Sequence, residues 1–395
     1  MMMKKRQVYL SISAALVFAL CAKSSAAQDY KQLHEEAILV DTHNDVLIAV
    51  MDGLDISKDL SGRTHSDLAR FKVGGVDAQF FSVWSDETGT FKYAIQQIDS
   101  LGAIVKRNPD KMMLATNARH IQQAVEEGKL AALIGVEGGH MIESDLEKLE
   151  QLHKRGARYL TLTWNNSTPW ATSAMDETSG KLPAAKKGLT SFGKQVVRRM
   201  NELGMMVDVS HVGSKTFWDV MAVTKKPVLV SHSCVHQINP VFRNLTDKQI
   251  KAVAKNGGVI HLNFFSGFLD PEFVPRVNRF QKAHKNEIDS LKTKGWNNDA
   301  IMDFLAETYP TDVQNLRPPL SLLLDHLDHI VKLVGVDYVG LGSDFDGITS
   351  APQQLDGVQD FPLITKELLA RGYSEADIKK ILGGNFLRVF KANAE

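Results

Sequence analysis

The chain has 395 residues, and its 46 lysines and arginines balance its 46 aspartates and glutamates, so the formal net charge is zero at pH 7. This balance gives no reason to expect nucleic acid or an anionic membrane surface as a partner, and we find no basic run interleaved with aromatic residues. Hydrophobic residues make up 44% of the chain, which is ordinary for a globular protein and sufficient for one large domain.

The segment 1–27 has the layout of a bacterial-type secretory signal peptide. Basic residues at 4–6 precede an apolar run at 8–20, and small residues at 25–27 offer a cleavage site. The apolar run is short for a membrane span, so we expect no stable membrane insertion after cleavage. A retained membrane anchor is the alternative.

The expected mature protein is exported to the periplasm or the extracellular space. It is a single catalytic domain over residues 28–395 with one cysteine, Cys234, and can form no intramolecular disulfide bond. Lipoprotein anchoring at Cys21 fits the sequence less well, because the bulky Leu20 stands where a small residue is expected.

Eight short apolar segments alternate with amphipathic, helix-like segments along the rest of the chain. Short strands rich in valine, isoleucine and leucine are typical of parallel sheets covered on both faces, and eight β-then-α units predict a closed (β/α)8 barrel. An open doubly wound sheet is the alternative, although no Gly-x-Gly-x-x-Gly motif supports dinucleotide binding. The predicted strands are Ala37–Val40, Gly75–Trp84, Ala131–Glu137, Ala157–Trp164, Met205–Ser210, Pro227–Ser231, Gly258–Phe264 and Tyr338–Ser343.

The segment Phe265–Pro319, between the seventh and eighth predicted strands, is too long for a simple loop. It is highly charged between Arg276 and Lys294, which indicates helices. We interpret it as a helical insertion that covers the barrel mouth or contacts a partner subunit. A solvated surface helix is the alternative.

Histidine and carboxylate side chains stand at the ends of several predicted strands. The C-terminal ends of barrel strands meet on one face, where active sites are built. His43 and Asp45 are two residues apart, so on an extended backbone they point to the same face and suit a divalent metal such as zinc. The other strand ends carry Glu137, Asp208, His211, His232, Asp344 and Asp346.

Each of these groups alone could be a satisfied core residue, but their meeting at one barrel mouth favours a metal site. Buried charges left unpaired cost several kcal/mol each, and one or two divalent cations would neutralise the cluster. Glu137 is the best candidate to bridge two ions, because a carboxylate has two oxygens. Glycines at 138 and 139 leave room for a ligand to approach.

Other chemistry-bearing residues are predicted to be structural. The segment Asp325–His329 lies in the helix before the last strand, Thr246 is a helix N-cap, and Cys234 packs in the core. The histidines predicted to be structural are His140, His153, His236 and His261.

Six motifs follow one another from about residue 37 to the end of the chain. They are DTHND at 41–45, GVEGGH at 135–140, LTLT at 160–163, DVSH at 208–211, SHS at 231–233 and GLGSDFDG at 340–347. In this order they resemble the membrane dipeptidase (renal dipeptidase) family, the M19 group of zinc metallopeptidases.

The resemblance implies a (β/α)8 barrel of the metal-dependent hydrolase type with two zinc ions per subunit, and it suggests a homodimer. By the family pattern, His43 and Asp45 bind one ion. His211 and His232 bind the other, and Glu137 bridges the two.

The resemblance also assigns substrate-binding residues. Arg243 falls where the family has an arginine that binds the C-terminal carboxylate of the substrate, a task that suits a guanidinium group; a surface ion pair is the alternative. Asp344 falls where the family has a carboxylate that contacts the substrate amino end and transfers a proton. Trp164 departs from the family, which has a substrate-binding histidine there, because an indole donates one hydrogen bond and carries no charge.

The sequence therefore predicts a zinc-dependent dipeptidase that cleaves dipeptides, with D-residues among the expected substrates, by a hydroxide bridging two zinc ions. The predicted catalytic residues are Glu137 and Asp344. A second hypothesis is a binuclear metal amidohydrolase that acts on N-acyl amino acids, lactams or cyclic amides, which Trp164 keeps open. A third is a non-catalytic binding module, which would predict damaged ligands, whereas all five ligand positions are intact.

Overall fold

The computed structural model describes residues 30–180 and 182–394. The predicted signal peptide, with Cys21, lies outside the described residues. Within the described part of the chain, no helix is both long enough and apolar enough to cross a membrane.

In the described part of the chain, nine parallel strands form one sheet, and eight of them close into a barrel surrounded by helices, which is a TIM barrel. The ring closes because β2 pairs with β4 on one side and with β1 on the other. The predicted (β/α)8 fold is thus confirmed. The strands are β1 (Val40–Asn44), β2 (Ala78–Trp84), β3 (Met112–Leu114), β4 (Leu130–Glu137), β5 (Ala157–Thr161), β6 (Met206–Asp208), β7 (Leu229–Val230), β8 (Val259–Leu262) and β9 (Val339–Leu341).

Helices connect the strands and cover the outside of the barrel. The α-helices are α1 (residues 30–36), α2 (Val46–Met51), α3 (Leu68–Val73), α4 (Phe91–Arg107), α5 (Ala118–Glu126), α6 (Leu146–Lys154), α7 (Ala174–Thr178), α8 (Ser191–Leu203), α9 (Ser214–Val223), α10 (Asp247–Asn256), α11 (Ser266–Leu269), α12 (Phe273–Ala283), α13 (Lys285–Thr293), α14 (Asn298–Thr308), α15 (Pro310–Leu316), α16 (Leu320–Val334), α17 (Phe361–Ala370), α18 (Glu375–Lys379) and α19 (Asn385–Ala394). Short 3-10 turns occur at Gly139–Ile142, Ala184–Lys186, Val336–Tyr338 and Val358–Asp360, and a π turn at Lys380–Gly384.

The predicted bounds of the first strand, Ala37–Val40, are wrong. Strand β1 continues through the polar residues Asp41 to Asn44, all of which are fully buried. The Asp41 carboxylate accepts hydrogen bonds from the backbone N–H and the hydroxyl of Ser343 beside β9, at 2.8 and 2.6 Å. Such partners come from distant parts of the chain, so the local sequence gives no sign that the strand continues through these polar residues to Asn44.

Strand β3 is absent from the prediction. It pairs with the first residues of β4, from Leu130 to Ala132, whereas β5 pairs with β4 further along, from Ile134 to Glu137. Strands β3 and β5 therefore occupy the same edge of β4 in succession, and β3 stays outside the closed ring. A three-residue strand gives too short an apolar pattern to detect.

Aromatic and aliphatic side chains fill the inside of the barrel near the N-terminal ends of its strands. Phe80 of β2 lies 5.1 Å from the ring of Tyr159 of β5 and 5.3 Å from that of Phe386 of α19. The last helix thus packs against the interior cluster. The opposite end of the barrel, where the strands end, holds the polar residues.

The predicted helical insertion between the seventh and eighth barrel strands is confirmed. Helices α11 to α15 lie between β8 and α16. They contain a hydrophobic cluster of their own, separate from the two clusters of the barrel, so this segment has its own small core. Its buried members are Phe280, Leu291, Ile301, Leu305 and Leu316.

We expect Gly135→Ala to destabilise the protein by about 1–3 kcal/mol through overpacking. A Cβ atom at Gly135 of β4 would lie 1.9 Å from Cζ of Tyr159, so the buried ring must move. The matched control is Gly102→Ala in α4, where a Cβ atom meets nothing within 4 Å and stability should rise by roughly 0.5–1 kcal/mol. Urea unfolding of both variants measures the difference, and equal stability of Gly135→Ala and the parent would contradict it.

Candidate active site

The structure places the five predicted metal ligands together at the C-terminal ends of the barrel strands. His43 lies near the end of β1 and Asp45 follows it, Glu137 ends β4, and His211 and His232 follow β6 and β7. All five are at most 8% exposed. They form overlapping groups whose potential ligand atoms lie within 4.8 Å of one another.

Glu137 is shared by two of these groups. Its Oε2 lies 3.4 Å from Nε2 of His43, which lies 3.4 Å from Oδ2 of Asp45. Its Oε1 lies 2.8 Å from Nε2 of His211 and 3.3 Å from Nε2 of His232. Each oxygen of this carboxylate therefore faces a different set of ligands, which is the arrangement that a bridging carboxylate requires.

Hydrogen bonds behind the histidines determine which ring nitrogen carries the proton. The hydroxyl of Tyr159 donates to the carbonyl of Thr42 at 3.1 Å, so its oxygen accepts from Nδ1 of His43 at 2.9 Å. The lone pair of neutral His43 is then at Nε2, toward Glu137. Tyr159 was absent from the predicted site, because it lies 116 residues from His43 and nothing in the sequence links them.

The other two histidines, His211 and His232, also donate a hydrogen bond from Nδ1 and so keep the lone pair at Nε2. The Ser231 hydroxyl donates to Oδ2 of Asp208 at 2.6 Å and accepts from Nδ1 of His232 at 2.8 Å. Oδ1 of Asn165 accepts from Nδ1 of His211 at 3.1 Å. Partners of this kind orient metal-binding histidines and fix their tautomers.

This arrangement of donors fits a metal ion. Nε2 of His211 and Nε2 of His232 are 3.0 Å apart, and with both protons on Nδ1 two lone pairs face each other, which a cation relieves. Nε2 of His43 and Oδ1 of Asp45 are buried without a hydrogen-bond partner among the described residues. Imidazole nitrogens and carboxylate oxygens are ligands that zinc accepts.

The ionisation states also suit a cation. Burial lowers the pKa of His211 to about 4 and that of His232 well below its usual value, so both rings are neutral. Burial would raise the pKa of Glu137, but the neighbouring His43, followed by His211, lowers it well below the ordinary value. Burial would lower the pKa of His43, yet Tyr159, Asp45 and Glu137 together raise it well above its ordinary value, so positive charge is favoured on this ring.

Two predicted site residues have left-handed backbone conformations. The φ angle is 62° at both His211 and Asp344. Non-glycine residues adopt this conformation infrequently, and they cluster at functional sites where the surrounding structure holds them. Here the turns after β6 and β9 bring both side chains to the barrel mouth.

Arg243 is a buried cation that has no carboxylate partner among the residues that the structure describes. It is 4% exposed, and no carboxylate of the described residues lies within ion-pair distance of it. Its guanidinium donates to the Ser233 hydroxyl at 3.2 Å and to the His232 carbonyl at 3.3 Å, while its Nε has no acceptor in the described part of the chain. The group also stacks 5.3 Å from the ring of Phe268. A buried cation with only neutral partners favours an anionic ligand.

Asp344 follows β9 and lies beside the predicted ligand His43. Its Oδ2 accepts from the amide of Asn263 at 2.7 Å, and its Oδ1 is 3.8 Å from Nε2 of His43. Burial, together with the negative charges of Asp45 and Glu137, raises the pKa of Asp344 well above its ordinary value. The side chain can therefore hold a proton where an isolated aspartate would be ionised.

One cavity of about 420 Å³ joins these groups. Glu137, Arg243 and Asp344 line it, and so does Trp164. Trp164 lies beyond the end of β5, so the predicted strand Ala157–Trp164 is too long. The ring of Trp164 packs edge-to-face on that of Trp84. The volume is in the range of small-molecule sites.

The residues predicted to be structural lie outside this cavity. Both ring nitrogens of His326 bond to the backbone, at Val235 and Leu269, so the segment 325–329 serves in packing. Thr246 caps α10, and Cys234 is buried with its thiol donating to a carbonyl. Burial raises the pKa of this thiol, so it is a poor nucleophile.

Residues 27–395 match the sequence profile of the membrane dipeptidase family, peptidase family M19. The chain therefore belongs to this family. It is similar to an uncharacterized dipeptidase of Schizosaccharomyces pombe, with 32% identity over 391 residues that cover 93% of this chain and 83% of the relative. The protein is accordingly a metallo-dipeptidase of family M19.

Solved structures of the family share the fold. The probable dipeptidase PvdM from Pseudomonas aeruginosa superposes with a TM-score of 0.78 at 25% identity, over 94% of this chain and 99% of that one. A metallo peptidase from Rhodobacter sphaeroides, liganded with a phosphinate mimic of the dipeptide L-Ala-D-Ala, gives a TM-score of 0.73 at 23% identity, over 91% of this chain and all of that one.

We expect Ser231→Ala to weaken metal binding by about 10- to 100-fold, because His232 loses the acceptor that fixes its tautomer. Titration of the metal-free protein with zinc against a competing chelator measures the affinity. Ser321→Ala, on the exposed face of α16, is the control and should bind as the parent does. Unchanged affinity in a folded Ser231→Ala protein would show that the serine does not orient the ligand.

Proposed function

We propose that the enzyme is a zinc dipeptidase that binds two zinc ions bridged by Glu137 and hydrolyses dipeptides, those with a D-residue included. The observation that carries this proposal is the division of ligands between the two oxygens of Glu137. One oxygen faces His43 and Asp45, and the other faces His211 and His232. When bound, the zinc ions would polarise the scissile carbonyl and activate water near neutral pH.

The chain's own residues would hold the two ends of the substrate. The buried guanidinium of Arg243, which has no carboxylate partner among the described residues, would bind the C-terminal carboxylate. Asp344 would contact the amino end, and its carboxyl group, which lines the same cavity, would transfer a proton to the leaving amine. Because Arg243 and Asp344 line one cavity of limited volume, this arrangement favours substrates of two residues.

Zinc removal and Glu137→Gln should each abolish activity. Zinc removal takes away the cations that balance the carboxylates, and Glu137→Gln takes away the negative charge of the proposed bridging carboxylate. The measurement is hydrolysis of a dipeptide library, with L- and D-residues at the C-terminal position, before and after chelation and after restoring zinc. Zinc content determined on the same samples should fall with activity. Full hydrolysis by metal-free protein would exclude the proposed mechanism.

Arg243→Met should weaken transition-state binding of ordinary dipeptides by about 2 kcal/mol, roughly thirtyfold in kcat/KM, because a charged hydrogen-bonding partner is lost. Dipeptide amides, which lack the free carboxylate, should be cleaved equally by the parent and the variant. A variant that still prefers free dipeptides over their amides to the same degree would contradict this role.

A second candidate activity is the hydrolysis of N-acyl amino acids by the same site. Trp164, which brings no charge to the cavity, is the observation that favours it. Such substrates retain the carboxylate for Arg243 and lack the amino group for Asp344. Paired dipeptide and N-acyl substrates with the same C-terminal residue separate the two activities.

We also propose that residues 1–27 direct export and that the mature chain forms a homodimer. Cell fractionation of the full chain beside a chain without these residues, followed by light scattering of the exported form, tests both proposals. Retention of the full chain in the cytoplasm would reject the proposal of export. A monomer in solution would reject the proposal of a homodimer.

A further inference from the structure

Each ionisable side chain that lines the active-site cavity, among the described residues, already has a proposed role in binding metal or the ends of the substrate. Among the described residues that line it, the ionisable side chains are those of the ligands Asp45, Glu137 and His211 and of Arg243 and Asp344. The ligands face the proposed metal ions, and the last two face the proposed substrate ends. No further ionisable lining residue of the described part is available to the side chains of a bound dipeptide.

Two tryptophans form one apolar wall of this cavity. Trp84 ends β2 and Trp164 follows β5, and these strands pair with β4 on either side of Glu137. The rings pack edge-to-face, with centroids 5.1 Å apart and an interplanar angle of 71°. The buried side chain of Gln97 holds Trp84 in place by accepting from its backbone N–H at 3.2 Å and donating to its carbonyl at 2.8 Å.

Phenylalanines form a second apolar wall. Phe265 and Phe268, from the start of the helical insertion, pack edge-to-face at 4.9 Å, and Phe242 precedes Arg243. The described residues of α12 to α15 contribute nothing to the lining. The insertion therefore reaches the cavity through its first residues, and these add apolar surface beside the guanidinium group.

We propose that the enzyme selects dipeptides with uncharged, apolar side chains and that Trp84 and Trp164 are the specificity-determining residues. This inference rests on the proposed dipeptidase activity. A carboxylate side chain would lose its hydration between aromatic walls without gaining a partner, and an ammonium group would gain only the attraction of the ring faces, whereas an apolar side chain would be removed from water there.

The first test compares kcat/KM of the zinc-loaded enzyme in two matched series, Xaa-Gly and Gly-Xaa, with leucine, lysine or glutamate as Xaa. Leucine should exceed lysine and glutamate at least about tenfold in at least one series, because burying an unpaired charge is unfavourable. Equal or faster cleavage of the charged dipeptides in both series would overturn the proposal. If the enzyme cleaves no dipeptide of either series, the proposed function fails and not only its specificity.

The second test asks whether the tryptophans cause the preference. Trp84→Ala and Trp164→Ala should reduce the ratio of kcat/KM for leucine over glycine in the preferred series by about tenfold, since each removes apolar contact area. Trp164→His should raise the relative rate for glutamate by placing an ionisable group in the wall. The matched control is Trp218→Ala on α9, which is 42% exposed, lies outside the lining and should leave all ratios unchanged.

A structural loss has a different signature from a loss of specificity. A variant that is merely destabilised should lose rate for every substrate in proportion and keep its ratios. Thermal unfolding and zinc content of each variant, measured on the same samples, identify this case. Unchanged ratios in folded, zinc-loaded Trp84→Ala and Trp164→Ala proteins would overturn the assignment of these residues.

Discussion

The active site depends on one buried carboxylate, that of Glu137. Every residue of β4 up to Glu137 is buried, so the strand carries a negative charge into the barrel mouth where little water can solvate it. Such a charge persists only with compensation from its surroundings. His43, His211 and His232 surround it, and the lone pairs on their Nε2 atoms make a cation the natural completion of the cluster.

The outer hydrogen bonds show how the barrel prepares these ligands. Tyr159 reaches His43 from inside the barrel, Asn165 reaches His211 from the loop after β5, and Ser231 links His232 to Asp208. Each of these contacts joins residues of different strands or loops, except the one between the consecutive residues Ser231 and His232. The orientation of the ligands is therefore a property of the closed barrel, and no single motif contains it.

The sequence sufficed for the barrel and for the meeting of the ligands, because both follow from repeated patterns. Apolar runs alternate with amphipathic ones, and parallel strands bring their C-terminal ends to one face. Prediction from the sequence failed where pairing between distant parts of the chain overrides the local pattern. Strand β1 continues through a buried polar run in which Asp41 bonds to Ser343, and β3 exists because β4 extends beyond its pairing with β5. Tyr159 could not be predicted as a site residue, because its sequence context is that of an ordinary core aromatic residue. Only closure of the barrel brings its hydroxyl to His43.

Trp164 brings apolar surface and no charge to the cavity. The zinc ions proposed here would supply electrophilic stabilisation of the reacting carbonyl, so no charged side chain is required at this position for that purpose. The indole instead packs on Trp84 and extends the apolar wall. The charges that remain along the cavity are those of the ligands and of Arg243 and Asp344. On this reading, the charges of the site hold the metal ions and the backbone ends of a substrate, and discrimination between side chains falls to the aromatic walls.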